Sequence, residues 1–221
     1  MSDAAPTRAT SFPTIGSPAP DFEANSTHGP ISLRSFEGKW VLLFSHPYDF
    51  TPVCSTEFLG FSRRAADFAE RNTQLVGLSV DSVYSHIAWT RNLEKQAGIR
   101  IGFPVIADLD QRVARAYGMI HEGASDMATV RALFFIDPKR VVRASIYYPM
   151  NAGRSVDEVV RLLDALQTVD KNADTACPEG WKRGDHVIFP PPKTADAAEA
   201  RMKEHASNPE AKDWFFVKRP L

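Results

Sequence analysis

Between residues 39 and 80 the run KWVLLFS, a helical stretch and the run QLVGLSV follow one another, and this order limits the fold more than any other feature of the chain. Both apolar runs have the length of buried strands rather than of buried helices. Between them Phe58, Phe61, Ala65 and Phe68 recur on one helical face, which makes the segment a β-α-β unit. A helix is predicted from about Val83 to Lys95, a strand at FPVIAD and a short helix at DQRVARAYG. ATVRALFFIDPKRVVRASIYY gives two strands joined at Asp137-Pro138-Lys139, because proline at a turn's second position presets φ. In SVDEVVRLLDALQTV (155–169), Ser155 and Glu158 form a capping-box pattern, and Val156, Val159, Val160, Leu163 and Leu166 form one apolar face. Strands alternating with helices, then a hairpin and a helix, predict an α/β fold with a mixed central sheet flanked by helices.

From Asn172 the texture changes. NADTACPEGWKRGDHVIFPPPK is rich in proline, glycine and charge, and an Ala/Glu-rich helix (195–206) and the aromatic tail DWFFVKRPL follow it. The expected organisation is a flexible N-terminal tail (1–11), a core domain (12–170) and a C-terminal arm (171–221). About 50 residues are marginal for an independent core. The arm is therefore expected to pack on its own core domain or on another subunit, burying Trp214, Phe215 and Phe216.

A formal net charge of −1 lacks the electrostatic footprint of a nucleic-acid binder or a polybasic membrane protein. No run approaches the roughly 20 apolar residues of a membrane span. The start, MSDAAPTRATSFPT, has no apolar core of a signal peptide, so a cytoplasmic location is expected. Two cysteines are too few for a disulfide scaffold and suit a reducing compartment, where thiols do chemistry more often than they staple folds.

Cys54 is placed to react. Thr51 can cap a helix and Pro52 can occupy its first position without losing a hydrogen bond, which puts Cys54 in the first turn. There the unpaired N–H groups and the positive end of the helix dipole favour an anion, and with it a thiolate. The competing reading is a capped helix with a small buried cysteine, since free cysteines are often core residues. Arg131 is unusual on its own account: it interrupts the apolar run TVRALFFI, and a charge there must find a partner or lie at an exposed strand end. The six histidines show no H-E-x-x-H and no ligand spacing with cysteine, so no metal is expected. No glycine-rich phosphate loop appears, and no cofactor is expected.

Pro47, Thr51 and Cys54 reproduce the P-x-x-x-T-x-x-C pattern of the peroxiredoxins, and HPYDFTPVCSTE resembles their active-site loop. SFEGKWVLLF before it, and SVDSVYSHIAW, FPVIAD and VRALFFIDP after it, match in order, over about residues 12 to 192. The resemblance implies a thioredoxin-like fold and a thiol peroxidase acting on hydrogen peroxide and small alkyl hydroperoxides. By the same resemblance Cys54 is the peroxidatic nucleophile, Thr51 the hydroxyl that touches the peroxide, Pro47 the shield of the pocket and Arg131 the cation at the thiolate. Glu57 and Arg154 match positions that tie the arginine into an ionic network, although each could equally be a solvated surface charge. His46 matches the one-Cys branch.

Two departures stand out. Glu37-Gly38-Lys39-Trp40 replaces the serine motif associated with phospholipase activity in the one-Cys branch, so that side activity is not expected. Cys177, in CPEGWKRGD, resembles the resolving cysteine of two-Cys members, whereas TPV around Cys54 and the long arm resemble the one-Cys and archaeal type. The expectation is resolution by Cys177 of a partner subunit in a homodimer or ring of dimers, with a thioredoxin-like protein as thiol reductant. The alternatives are a one-Cys cycle with an external thiol, a non-enzymatic oligomeric holdase or redox sensor, and a cysteine hydrolase using Cys54 with His46 or His121.

Overall fold

The computed structural model describes residues 12–221, so the expected tail at residues 1–11 lies outside the described residues. The chain divides into two compact units, up to Val156 and from Asp157 onward.

In the first unit the strands are β1 (Glu23–Ser26), β2 (Gly29–Ser32), β3 (Trp40–Ser45), β4 (Thr73–Ser79), β5 (Val105–Ala107), β6 (Arg131–Ile136) and β7 (Val142–Tyr148). The helices are α1 (Pro52–Arg63), α2 (Ala65–Glu70), α3 (Val83–Ala97) and α4 (Arg112–Ala116). The strands form one sheet in the order β2-β1-β5-β4-β3-β6-β7. Pairs β3–β4 and β4–β5 are parallel, and β1–β2, β1–β5, β3–β6 and β6–β7 antiparallel. The expected mixed α/β sheet is present. The Asp137-Pro138-Lys139 turn closes the β6–β7 hairpin, with Arg140 N donating to Asp137 O at 2.8 Å.

Alternation along the strands builds two cores, because successive side chains point to opposite faces. Val41 and Leu43 of β3, Val76 and Leu78 of β4, and Ala132, Phe134 and Ile136 of β6 share one buried cluster with Val113 and Ala114 of α4. On the other face the ring of Phe44 meets those of Phe58, Phe61 and Phe103 at centroid distances of 5.5, 4.5 and 5.6 Å. This face receives α1. Arg131, Leu133 and Phe135 share the same parity on β6, so the strand aims Arg131 toward the helix that carries Cys54.

The helical face between β3 and β4 is split rather than continuous. At Arg64 (φ −102°, ψ 14°) the backbone leaves helical geometry and its N–H turns back to Phe61 O. Phe58, Phe61 and Phe68 are buried as expected, but Ala65 is exposed, because the break rotates α2 away from the line of α1.

The second unit holds α5 (Val156–Lys171), β8 (Val187–Ile188), α6 (Ala195–Glu204), β9 (Ala211–Asp213) and β10 (Phe216–Arg219), with a small sheet ordered β8-β10-β9. Ala165 of α5 packs with Trp181 and Val187, and Cys177 and Phe189 flank them. This cluster is why the division falls one helix earlier than the boundary near residue 170 suggested by composition: α5 supplies part of the arm's core. The aromatic tail is half of a strand pair, with Trp214 and Phe215 between β9 and β10, 39% and 51% exposed.

Gly77 marks how tightly the α1 face is packed. A Cβ there would lie 3.2 Å from the Phe58 ring and 3.5 Å from Phe44 and Val105. Gly77→Ala is expected to destabilise the protein by about 1–3 kcal/mol through overpacking, read as a lowered urea midpoint. An unchanged midpoint would show that the aromatic cluster can yield.

Candidate active site

Thr51 has extended geometry at the start of α1 and Pro52 is the first helical residue, so Cys54 occupies the first turn. The expected side-chain cap is absent. Thr51 Oγ1 instead donates to Tyr48 O at 2.9 Å, because the loop just before the helix brings that carbonyl into reach. The residue before it, Phe50, has φ +55° although it is not glycine, and its side chain is 61% exposed. Pro47 is buried two residues after the end of β3. Cys54 itself is wholly buried and is a free thiol.

Arg131 is 2% exposed, so it is no strand-end surface charge. Its Nη1 donates to Cys54 Sγ at 3.4 Å and to Glu57 Oε2 at 2.8 Å, while Nε and Nη2 donate to Met150 O at 2.9 and 2.6 Å. Glu57 lies one turn after Cys54 on α1. Its Oε1 accepts from Arg154 N and Nε, both at 2.8 Å, and its Oε2 accepts from Arg154 Nη2 at 2.7 Å. Arg154 Nη1 donates to Ala132 O at 2.7 Å. Burial pushes the Glu57 carboxyl up, but the hydrogen bonds and charge of Arg154, with the charge of Arg131, outweigh it and hold Glu57 below the ordinary glutamate value. Glu57 and Arg154 are thus buried network members and not solvated charges.

His46 is also wholly buried, and its ring packs on Phe58 and Trp89 at 4.8 and 5.1 Å. It belongs to a group that sequence reading missed. His46 Nε2 meets Asp49 Oδ1 at 2.9 Å, His86 Nδ1 meets Asp49 Oδ2 at 2.8 Å, and His86 Nε2 meets Ile106 O at 3.0 Å. The ligand atoms of these three residues lie within 4.8 Å of one another, a grouping no sequence spacing announced. The contacts are hydrogen bonds, each histidine taking a different carboxylate oxygen. A signal did exist: His86 falls on the buried face of α3 with Trp89, Thr90 and Leu93, where a histidine needs a partner. Burial lowers His46 below 6.5 against the opposing pull of Asp49. Asp49 is raised by burial, yet the bonds from His46 and His86 bring it well below the ordinary carboxylate range.

The hydrolase alternative requires a histidine paired with the thiol. His46 bonds Asp49, and His121 reaches Gly118 O at 3.2 Å while stacking on Tyr147. The sulfur's hydrogen bond comes from an arginine, which cannot serve as a general base. An arginine-held thiol at a helix start, whose sulfur bonds neither His46 nor His121, suits attack by sulfur on a group that takes its own leaving electrons.

The AhpC/TSA family model matches residues 15–145, more than half of the chain. This chain belongs to the peroxiredoxins. The model of the C-terminal domain of 1-Cys peroxiredoxin matches residues 165–205. Peroxiredoxin 2 of Caldanaerobacter subterraneus subsp. tengcongensis is 51% identical over 205 residues, covering 93% of this chain and 92% of that one. The peroxiredoxin of Aquifex aeolicus is 49% identical, covering 96% and 98%. A solved yeast mitochondrial 1-Cys peroxiredoxin superposes with a TM-score of 0.82 at 35% identity, over 94% of this chain and 99% of that one. A Plasmodium vivax 2-Cys peroxiredoxin superposes at 0.73 with 33% identity, over 80% and 93%. The protein is accordingly a thiol-dependent peroxidase with the family's thioredoxin-like fold. Among the described residues, no helix is long and apolar enough to cross a membrane.

The buried ionisable groups predict a two-stage loss of stability in acid. His46 and Glu57 both have folded values below their unfolded ones, so each contributes fully above the unfolded value and loses that contribution as pH falls toward the folded one. The decline begins below 6.5 with His46, steepens below 4.5 with Glu57, and the lower stage continues below 3.8 with Asp49. Urea unfolding from pH 7.5 to 3.5 is expected to show both stages, and His46→Asn to flatten the first. An unaltered slope between pH 6.5 and 5 in that variant would assign the first stage elsewhere.

Proposed function

We propose that Cys54 is the peroxidatic cysteine, and the observation that carries this is its buried sulfur at 3.4 Å from Arg131 Nη1. The thiolate sulfur attacks one peroxide oxygen. A sulfur–oxygen bond forms, the O–O bond breaks, and the departing oxygen leaves with the electron pair and takes a proton to become water or an alcohol. Cys54 is left as a sulfenic acid. Arg131 holds the thiolate and the negative charge that spreads over the oxygens in the transition state. Glu57 and Arg154 fix the guanidinium. Thr51 commits its hydroxyl proton to Tyr48 O, so its oxygen presents lone pairs to the O–H of a hydroperoxide. Pro47 closes the wall of the site.

The substrates are hydrogen peroxide and small alkyl hydroperoxides, whose small size suits a wholly buried thiol. The setting is a reducing one, the cytoplasm, and the reductant a thioredoxin-like thiol protein. The exposed Trp214 and Phe215 between β9 and β10 support an oligomer, a homodimer or a ring of dimers.

Stopped-flow peroxide consumption tests the site. Cys54→Ser is expected to abolish it, which a holdase role would not require. Arg131→Met is expected to slow it on the order of 100-fold or more with the fold intact, the usual effect of removing a transition-state donor. A near-native rate in Arg131→Met would overturn the role given to that residue.

For the sulfenic acid, the Cys-Pro-x-x-Trp-Lys spacing supports resolution by Cys177 of a partner subunit. Cys177 sits half-buried beside Trp181, its thiol donating to Ala165 O at 3.7 Å, and burial pushes the thiol up against the opposing charge of Arg161. Condensation requires both cysteines to leave their sites, Cys54 by unwinding of the first turn of α1, since a disulfide needs Cα atoms within about 7 Å. A second reading, direct reduction of Cys54 by an external thiol, is favoured by the 1-Cys C-terminal match, which spans Cys177. Non-reducing electrophoresis after one equivalent of peroxide separates them. A covalent dimer lost in Cys177→Ser is expected; a persistent monomer whose Cys54 reacts with dimedone would establish the one-Cys cycle.

A further inference from the structure

The backbone pairing of β3 with β6 runs from Val41 opposite Ile136 to Phe44 opposite Leu133 and stops there. Beyond that point side-chain hydroxyls replace it. Ser45 Oγ, wholly buried, donates to Val130 O at 2.7 Å and accepts from Ala132 N at 3.1 Å. The same Ala132 N–H reaches Val130 O at 3.0 Å, so the chain makes a three-residue turn centred on Arg131. Thr129 Oγ1 adds a bond to His46 O at 2.7 Å. A single hydroxyl therefore grips the peptide groups on both sides of Arg131.

We propose that Ser45 is a positioning residue for the peroxidase reaction, setting the backbone from which Arg131 reaches Cys54. The long arginine side chain must meet Sγ, Glu57 Oε2 and Met150 O together. Its reach is fixed only if its Cα is fixed, and the turn at 130–132 fixes it on the side where only the pairing with Tyr148 of β7 otherwise holds the strand. The turn has a cost: it ends the β3–β6 ladder at Leu133, while Arg131 and Ala132 stay paired with Tyr148 and Tyr147 of β7, and it leaves Val130 O, a buried acceptor reached by the backbone only within the tight turn, to be satisfied further by a side chain. Ser45 does that, and the same oxygen takes the Ala132 N–H. Without the hydroxyl Val130 O keeps only the Ala132 N–H of the tight turn, Ala132 N loses its second acceptor, and the segment relaxes to recover those bonds. Arg131 then moves off the sulfur while its ion pair with Glu57, made by a flexible side chain, can persist.

This inference rests on the reading of Arg131 as the cation of the thiol site, and the two can fail separately. Ser45→Ala is expected to slow Cys54 oxidation about tenfold, the scale of one hydrogen bond's worth of misplacement, and to move the pH profile of Cys54 alkylation by iodoacetamide to higher pH. In an Arg131→Met background, Ser45→Ala should slow the reaction no further. Ser45→Thr and Ser45→Val, which match in shape and differ by the hydroxyl, serve if the alanine variant does not fold: the threonine variant should stay faster than the valine variant and keep the native profile. Lowered stability with an unchanged rate and profile, or a Ser45→Ala effect that persists in Arg131→Met, would overturn the positioning role. A Ser45 effect absent because Arg131→Met itself is near-native would instead overturn the reading of Arg131.

Discussion

One carboxylate ties the site together. Glu57 receives the guanidinium groups of Arg131 and Arg154 and the backbone N–H of Arg154. It thereby joins α1, the first residue of β6 and the loop after β7. Burying three charges carries a large desolvation cost, and a buried ion pair contributes net stability only where its geometry is excellent and its remaining valences are filled. Here Met150 O and Ala132 O fill them. The sum of two arginines and one glutamate is one positive charge in excess, and that excess faces the sulfur.

The sheet is what makes such a site possible. Alternation on β6 sends Arg131 to the same face as Leu133 and Phe135, and the parallel β3–β4 pair sets α1 over that face. The aromatic cluster of Phe44, Phe58, Phe61 and Phe103 then fixes the helix at its middle, with Cys54 one turn before Phe58. The Cys54 end of the helix is positioned by apolar packing, and the charge beside it by a network that packing shelters from water.

Much of this was legible in the sequence, because each legible element carried a pattern of its own. The core strands β3, β4 and β6 are apolar runs, and α3 and α5 have clear faces. Cys54 after Thr51-Pro52, and a charge within TVRALFFI, are local anomalies with a local physical meaning. What escaped is set by tertiary partners. The short strands β1, β2, β9 and β10 have no hydrophobic alternation to announce them, and only ladder bonds define them. Asp49 and His86 lie 37 residues apart, and neither is unusual until the other is beside it. Thr51 has the composition of a cap, but a carbonyl in the preceding loop claims its proton. Ser45, at the end of an apolar strand, looks like any strand-ending serine.

The route into α1 passes through Phe50, an aromatic residue held in the left-handed region and turned to solvent. A non-glycine residue there stores on the order of 1 kcal/mol or more. The stored strain acts as a preload on the helix start. A rearrangement that returned Phe50 to the extended region would release that strain and so lower the cost of opening the turn that hides Cys54. A latch under tension is easier to trip, and this one lies in the approach to the helical turn that buries Cys54.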